Sequence, residues 1–126
     1  MKSHRIIEIT NQVMNAIDEL TMVGKINERY DVKLEFPMEV KMEILSGFEL
    51  HIVIHPLYNI RDDYMPILIS RIKLYPLDNP SNCLMSKNVS TTFGENIFSR
   101  LKAGVRNALI EQFEYLGKKK GILPNE

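Results

Sequence analysis

Two histidines four positions apart, His51 and His55, share the segment 48–63 with Glu49, Arg61, Asp62 and Asp63. Imidazoles and carboxylates gathered in one place are the material of zinc sites and of general acid–base catalysis. On a helix, a four-residue spacing would set both rings on one face and chelate a metal. The neighbouring residues point to a strand instead. Leu50, Ile52 and Ile54 alternate with Glu49, His51, Val53 and His55, which is the period of a strand with one buried side. At ~3.3 Å of rise per residue, positions i and i+4 stand about 13 Å apart. Zinc requires nitrogens within ~2 Å, so the two rings cannot share one ion. They are expected on the polar side of a sheet, facing the side chains of adjacent strands.

Other candidates for chemistry are weaker. Arg61-Asp62-Asp63 offers two carboxylates, but adjacent residues on a strand point apart, and aspartates in turns usually bond nearby amides. Cys83 has no surrounding Cys/His signature and reads as a buried or half-buried thiol. Lys118, Lys119 and Lys120, with Lys102 and Arg106 upstream, form a candidate basic patch. Their simpler role is to complement the carbonyl end of a helix. There is no glycine-rich phosphate loop, no Gly-x-Ser-x-Gly elbow and no His-Glu-x-x-His. No catalytic residue, metal ligand or cofactor site is assigned.

Sixteen basic and sixteen acidic residues cancel, and the pI is near 6.8. A protein whose chief partner is a phosphate backbone usually carries a basic excess, so nucleic acid is the least favoured partner. The single cysteine rules out an internal disulfide, and no apolar run approaches the roughly 20 residues needed to cross a bilayer. A cytoplasmic location is expected, with no membrane partner. At 126 residues, 44% of them hydrophobic, the whole chain 1–126 is expected to fold as a single domain.

The elements that would position these residues follow from periodicity. Ile6, Ile9, Val13, Ile17 and Leu20 recur at helical spacing, widened by Ile7 and Met14, with Ser3 as N-cap and Gly24 as stop. From Val32 to Ile44 every even position is apolar, while the odd positions are charged apart from Pro37, giving a strand with a bend or edge at the proline. A three-residue loop, Ser46-Gly47-Phe48, would return the chain with Ile44 opposite Leu50. It would also set Glu43 opposite His51 and Glu39 opposite His55. Residues 66–75 supply a third strand, with Leu68, Ile72 and Leu74 inward and Ile69, Arg71, Lys73 and Tyr75 outward. The stretch 76–92 reads as a long polar loop with room for a short edge strand near 83–85. Thr92-Phe93-Gly94-Glu95 fits a capping box ahead of a final helix through Leu116, closed at Gly117 and the lysines.

The fold class expected is α+β: an N-terminal helix, a three- or four-stranded antiparallel meander and a C-terminal helix, both helices on one face of the sheet. In topology this order resembles double-stranded RNA-binding domains. "FGENIFSR" stands where that family places the lysine-rich start of its last helix. The function expected is a non-enzymatic interaction protein, an adaptor, inhibitor or assembly factor, with another protein or a second copy as partner, the homodimer preferred. Its expected contact surface comprises Glu39, Glu43, His51, Val53, His55, Ile69, Arg71, Lys73 and Tyr75, or a sheet edge. The alternative is a small-ligand-binding or catalytic domain with a pocket between the polar sheet face and loop 76–92. A nucleic-acid-binding module is the third choice.

Overall fold

The computed structural model describes residues 4–29, 37–57, 67–92 and 94–120, with side chains except at 20–29 and 119–120. Helix α1 (His4–Arg29) leads into strands β1 (Met38–Ile44), β2 (Phe48–Leu57), β3 (Ile67–Pro76) and β4 (Met85–Thr92), followed by helix α2 (Ile97–Tyr115). The four strands form one antiparallel sheet in the order β1-β2-β3-β4. Both helices cover the same side, so the α+β layout matches the expectation, with the fourth strand fully formed. The proposed cap Ser3, the first half of the expected strand at 32–36 and Arg61-Asp62-Asp63 lie outside the described residues.

The core follows parity. Val40, Ile44, Leu50, Ile52, Ile54, Leu68, Ile72 and Leu74, all even-numbered, are buried under the helices. From α1 they meet Ile6, Ile9, Val13 and Ile17; from α2 they meet Leu101, Val105, Leu109 and Phe113. Ile7 faces outward rather than widening the α1 stripe. In β4 parity inverts, because Leu74 pairs with Met85 and Ser70 with Val89. Met85, Lys87, Val89 and Thr91 therefore share the helix side with Ser70 and Ile72. Ser70 is fully buried there, and its hydroxyl has no hydrogen-bond partner among the described residues. Beside it, Gly104 lets α2 approach closely: a Cβ at that position would stand 2.9 Å from Val89 Cγ1.

Several local expectations are corrected. α1 continues through Gly24 to Arg29, since glycine inside a helix costs only about 1 kcal/mol and stops one only where a left-handed turn follows. Residues 76–92 are not one long loop. Residues 77–84 turn, held by Leu77 N–H to Gly47 O (2.9 Å) and Leu84 N–H to Leu74 O (2.8 Å), and 85–92 are strand. The capping box does not form, because Thr92 is still paired to Ile67 at the end of β4. α2 starts after Asn96, which is left-handed and makes no side-chain cap. Arg100 ties the junction instead, donating to Glu95 O (3.1 Å) and Thr92 Oγ1 (3.2 Å). At the far end Gly117 does not stop the coil, which widens into a π-helical turn over Leu116–Lys120.

The hairpin register also differs. The loop is 45–47 and sets Ile44 opposite Phe48, so Glu43 faces Glu49, Lys41 faces His51 and Glu39 faces Val53. Both registers keep even residues opposite even ones, so hydrophobic alternation cannot choose between them. The turn decides: Leu45 (φ 54°) and Ser46 (φ 46°) are left-handed and Gly47 has φ 130°, so the chain reverses one residue earlier.

Candidate interaction face

The side of the sheet away from the helices is built from odd positions of β1, β2 and β3 and even positions of β4. All nine residues expected on the contact surface lie there. Read in rows across the strands, Glu43, Glu49 and Tyr75 come first, then Lys41, His51, Lys73 and Ser86. Glu39, Val53, Arg71 and Asn88 follow, then His55, Ile69 and Ser90, and last Leu57, Ile67 and Thr92. The face thus passes from charged, at the β1–β2 hairpin, to apolar at the opposite end. Three glutamates are balanced by Lys41, Arg71 and Lys73.

Several polar groups of the face answer a neighbour. Glu43 and Glu49 are directly opposed like charges, an unfavourable pair. Tyr75 relieves it from β3, its hydroxyl donating to Glu49 Oε1 at 2.8 Å. That hydrogen bond, then burial, then the negative charge of Glu49 and Glu39, holds the Tyr75 phenol above its ordinary pKa. His51 Nε2 reaches Glu39 Oε1 at 2.6 Å along a diagonal of the ladder, while Lys41 and Lys73 flank it directly. His55 receives Arg71 Nε–H on Nε2 at 3.0 Å and gives Nδ1–H to Pro56 O at 3.2 Å, a pattern that uses the Nδ1–H tautomer. The two rings therefore serve separate partners on separate rows. Among the described residues, no group of three His, Cys, Asp or Glu side chains is placed to hold a metal.

The apolar end was only partly legible. Val53 and Ile69 belong to the expected surface, whereas Leu57 and Ile67 become visible once β2 and β3 are seen to pair as far as Leu57↔Ile67. Leu57 is 48% exposed. No described helix packs on this side, and residues 85–92 of that stretch lie in the plane of the sheet as β4 rather than across it. A pocket between face and loop thus lacks its expected cover among the described residues.

The basic residues lie elsewhere. Lys102 forms an ion pair with Asp18, joining α2 to α1, and Arg106 is exposed one turn further on. They line an open groove of about 370 Å³ with Met14 and Ser99. Lys118 is exposed in the π-helical turn, and the side chains of Lys119 and Lys120 lie outside the described residues. Cys83 is exposed rather than buried, its thiol donating to Met85 O at 3.1 Å. No described helix is long and apolar enough to cross a membrane. In comparisons with known proteins, no family, no curated protein and no solved structure matches this chain.

Proposed function

We propose that the chain is a non-enzymatic interaction protein that works through its sheet, by face or edge, and forms a homodimer. One observation carries the reading. A four-stranded sheet with a complete core on one side presents, on the other, an apolar pad of Val53, Leu57, Ile67 and Ile69 next to a charge-balanced field. Apolar surface gathered at one end of a face, rimmed by polar residues, is the usual mark of a protein contact. Balanced charge suits a partner of the same composition better than a polyanion. Nε2 of His51 and both ring nitrogens of His55 are engaged by neighbouring groups, which supports a structural role for the two histidines.

Light scattering over a range of concentrations tests the reading. The mass is expected to rise from 14.6 kDa toward twice that value, and a hydrophobic dye is expected to bind wild type but not Ile69→Lys. A single-chain mass at every concentration, with no dye bound, refutes it.

A further inference from the structure

The two edges of the sheet are not equivalent. β4 places Lys87 on the core side, opposite buried Ile72, and an inward-pointing charge at an edge discourages another strand from pairing there. β1 has no such guard. Its core-side residues Met38, Val40, Met42 and Ile44 are all apolar, with Met38 and Met42 only half-buried. Among the described residues β1 is paired on one side alone.

The geometry points to a second copy of this chain pairing along β1, antiparallel about a two-fold axis at Met42, with Lys41 of each copy facing Glu43 of the other. This inference rests on the self-association proposed above and names its seam. A two-fold pairing that keeps both cores on the same side must oppose even residues to even ones, so the axis passes through a residue, and the centres that pair at least five residues of β1 are Val40, Lys41 and Met42. Centred on Lys41, the lysines face each other and Glu39 faces Glu43, so every charged pair is repulsive. Centred on Val40, Glu39 would face Lys41, but Glu39 already holds His51, and Pro37, which has no N–H, would enter the ladder opposite Glu43. Centred on Met42, two Lys41–Glu43 pairs form and each Val40 meets an Ile44. The half-buried Met42 meets its own copy. The incoming lysine also neutralises a Glu43 that its own chain sets against Glu49. The result is one continuous eight-stranded sheet.

Charge reversal across the seam is the test. Lys41 and Glu43 are exposed, so Lys41→Glu and Glu43→Lys should each keep the fold, which far-UV circular dichroism verifies. Either variant alone makes both charged pairs repulsive and should weaken dimerisation by about thirty-fold. Mixed one to one, the two variants restore opposite charges at both positions, and the heterodimer should regain wild-type tightness within about threefold. Glu111→Lys, which makes the same change in net charge as Glu43→Lys but on α2, should leave the dimer intact. Dimers as tight as wild type in both single variants, or no recovery on mixing, overturn the seam while leaving self-association standing. Weakening by Lys41→Glu alone shifts the axis to Val40 and likewise overturns it. A monomeric wild type overturns the self-association reading itself.

Discussion

Gly104 lies inside α2 where the helix crosses β4, and a methyl group added there would meet Val89 Cγ1 at 2.9 Å. Gly104→Ala sets two effects against each other. Replacing a glycine in a helix interior favours folding by about 0.5–1 kcal/mol, because the unfolded chain has less freedom to lose. Against this, 2.9 Å is well inside the ~3.5–4.0 Å of a relaxed carbon–carbon contact, and such overpacking costs about 1–3 kcal/mol. Val89 is β-branched and stiff at χ1, so it yields poorly. The clash is the larger effect, and Gly104→Ala should destabilise by roughly 1 kcal/mol. Val89→Ala alone should also cost about 1 kcal/mol, from methyl groups that are only partly buried. In that background, however, the new methyl meets space. Gly104→Ala should then stabilise by about 0.5–1 kcal/mol, a coupling near 2 kcal/mol against the ~0.5 kcal/mol scatter of independent sites. Urea unfolding of the four proteins at one fixed concentration measures the cycle, the concentration being held because association shifts apparent stability. Gly104→Ala stabilising wild type as much as it stabilises Val89→Ala would refute the close-approach argument.

Ser70→Ala should raise stability by about 1 kcal/mol, since it removes a buried hydroxyl with no partner among the described residues; an unchanged or lower urea midpoint counts against this. Gly47→Ala should cost about 1–3 kcal/mol through backbone strain alone, since a Cβ there touches nothing within 4 Å while φ is 130°; a loss below a few tenths would mean that the turn relaxes freely. The raised pKa of Tyr75 means that the fold favours the neutral phenol. Its contribution is complete below the unfolded value near 10 and is lost as pH climbs through the higher folded value. Ultraviolet titration of wild type against Tyr75→Phe should isolate that late-ionising phenol, and Glu49→Gln should bring it back toward 10; an unmoved titration breaks the assignment to Glu49.

Where burial is one-sided, the sequence was readable. The even positions of β1, β2 and β3 declared their core side, and Ile97 to Phe113 declared a helix, because every apolar residue missing from those stripes would leave a hole in the core. β4 was hidden for the opposite reason. Its core side is Met85, Lys87, Val89 and Thr91, only two of them apolar, and its outer side is Ser, Asn, Ser and Thr, so an edge strand looked like a loop. Register within the hairpin was illegible because a two-residue shift in the sum of paired positions preserves parity, and the left-handed backbone of Leu45 and Ser46 has no side-chain signature. For the candidate face, parity located the nine residues expected there but missed Leu57, Ile67 and the outer side of β4. The partners were less accessible: His51 contacts Glu39 diagonally and His55 takes Arg71 from β3, contacts that depend on register rather than on which face a residue occupies.

Lys87 under the rim of β4 also bears on how large an assembly this fold can reach. Strands that are receptive at both margins add end to end without limit and nucleate fibres. In the β1 pairing proposed above one margin is taken up while the other is fenced by an ammonium-bearing side chain, so a single union would exhaust the capacity for growth. Replacing that lysine with an aliphatic residue would remove the fence and turn a self-limiting particle into one able to propagate.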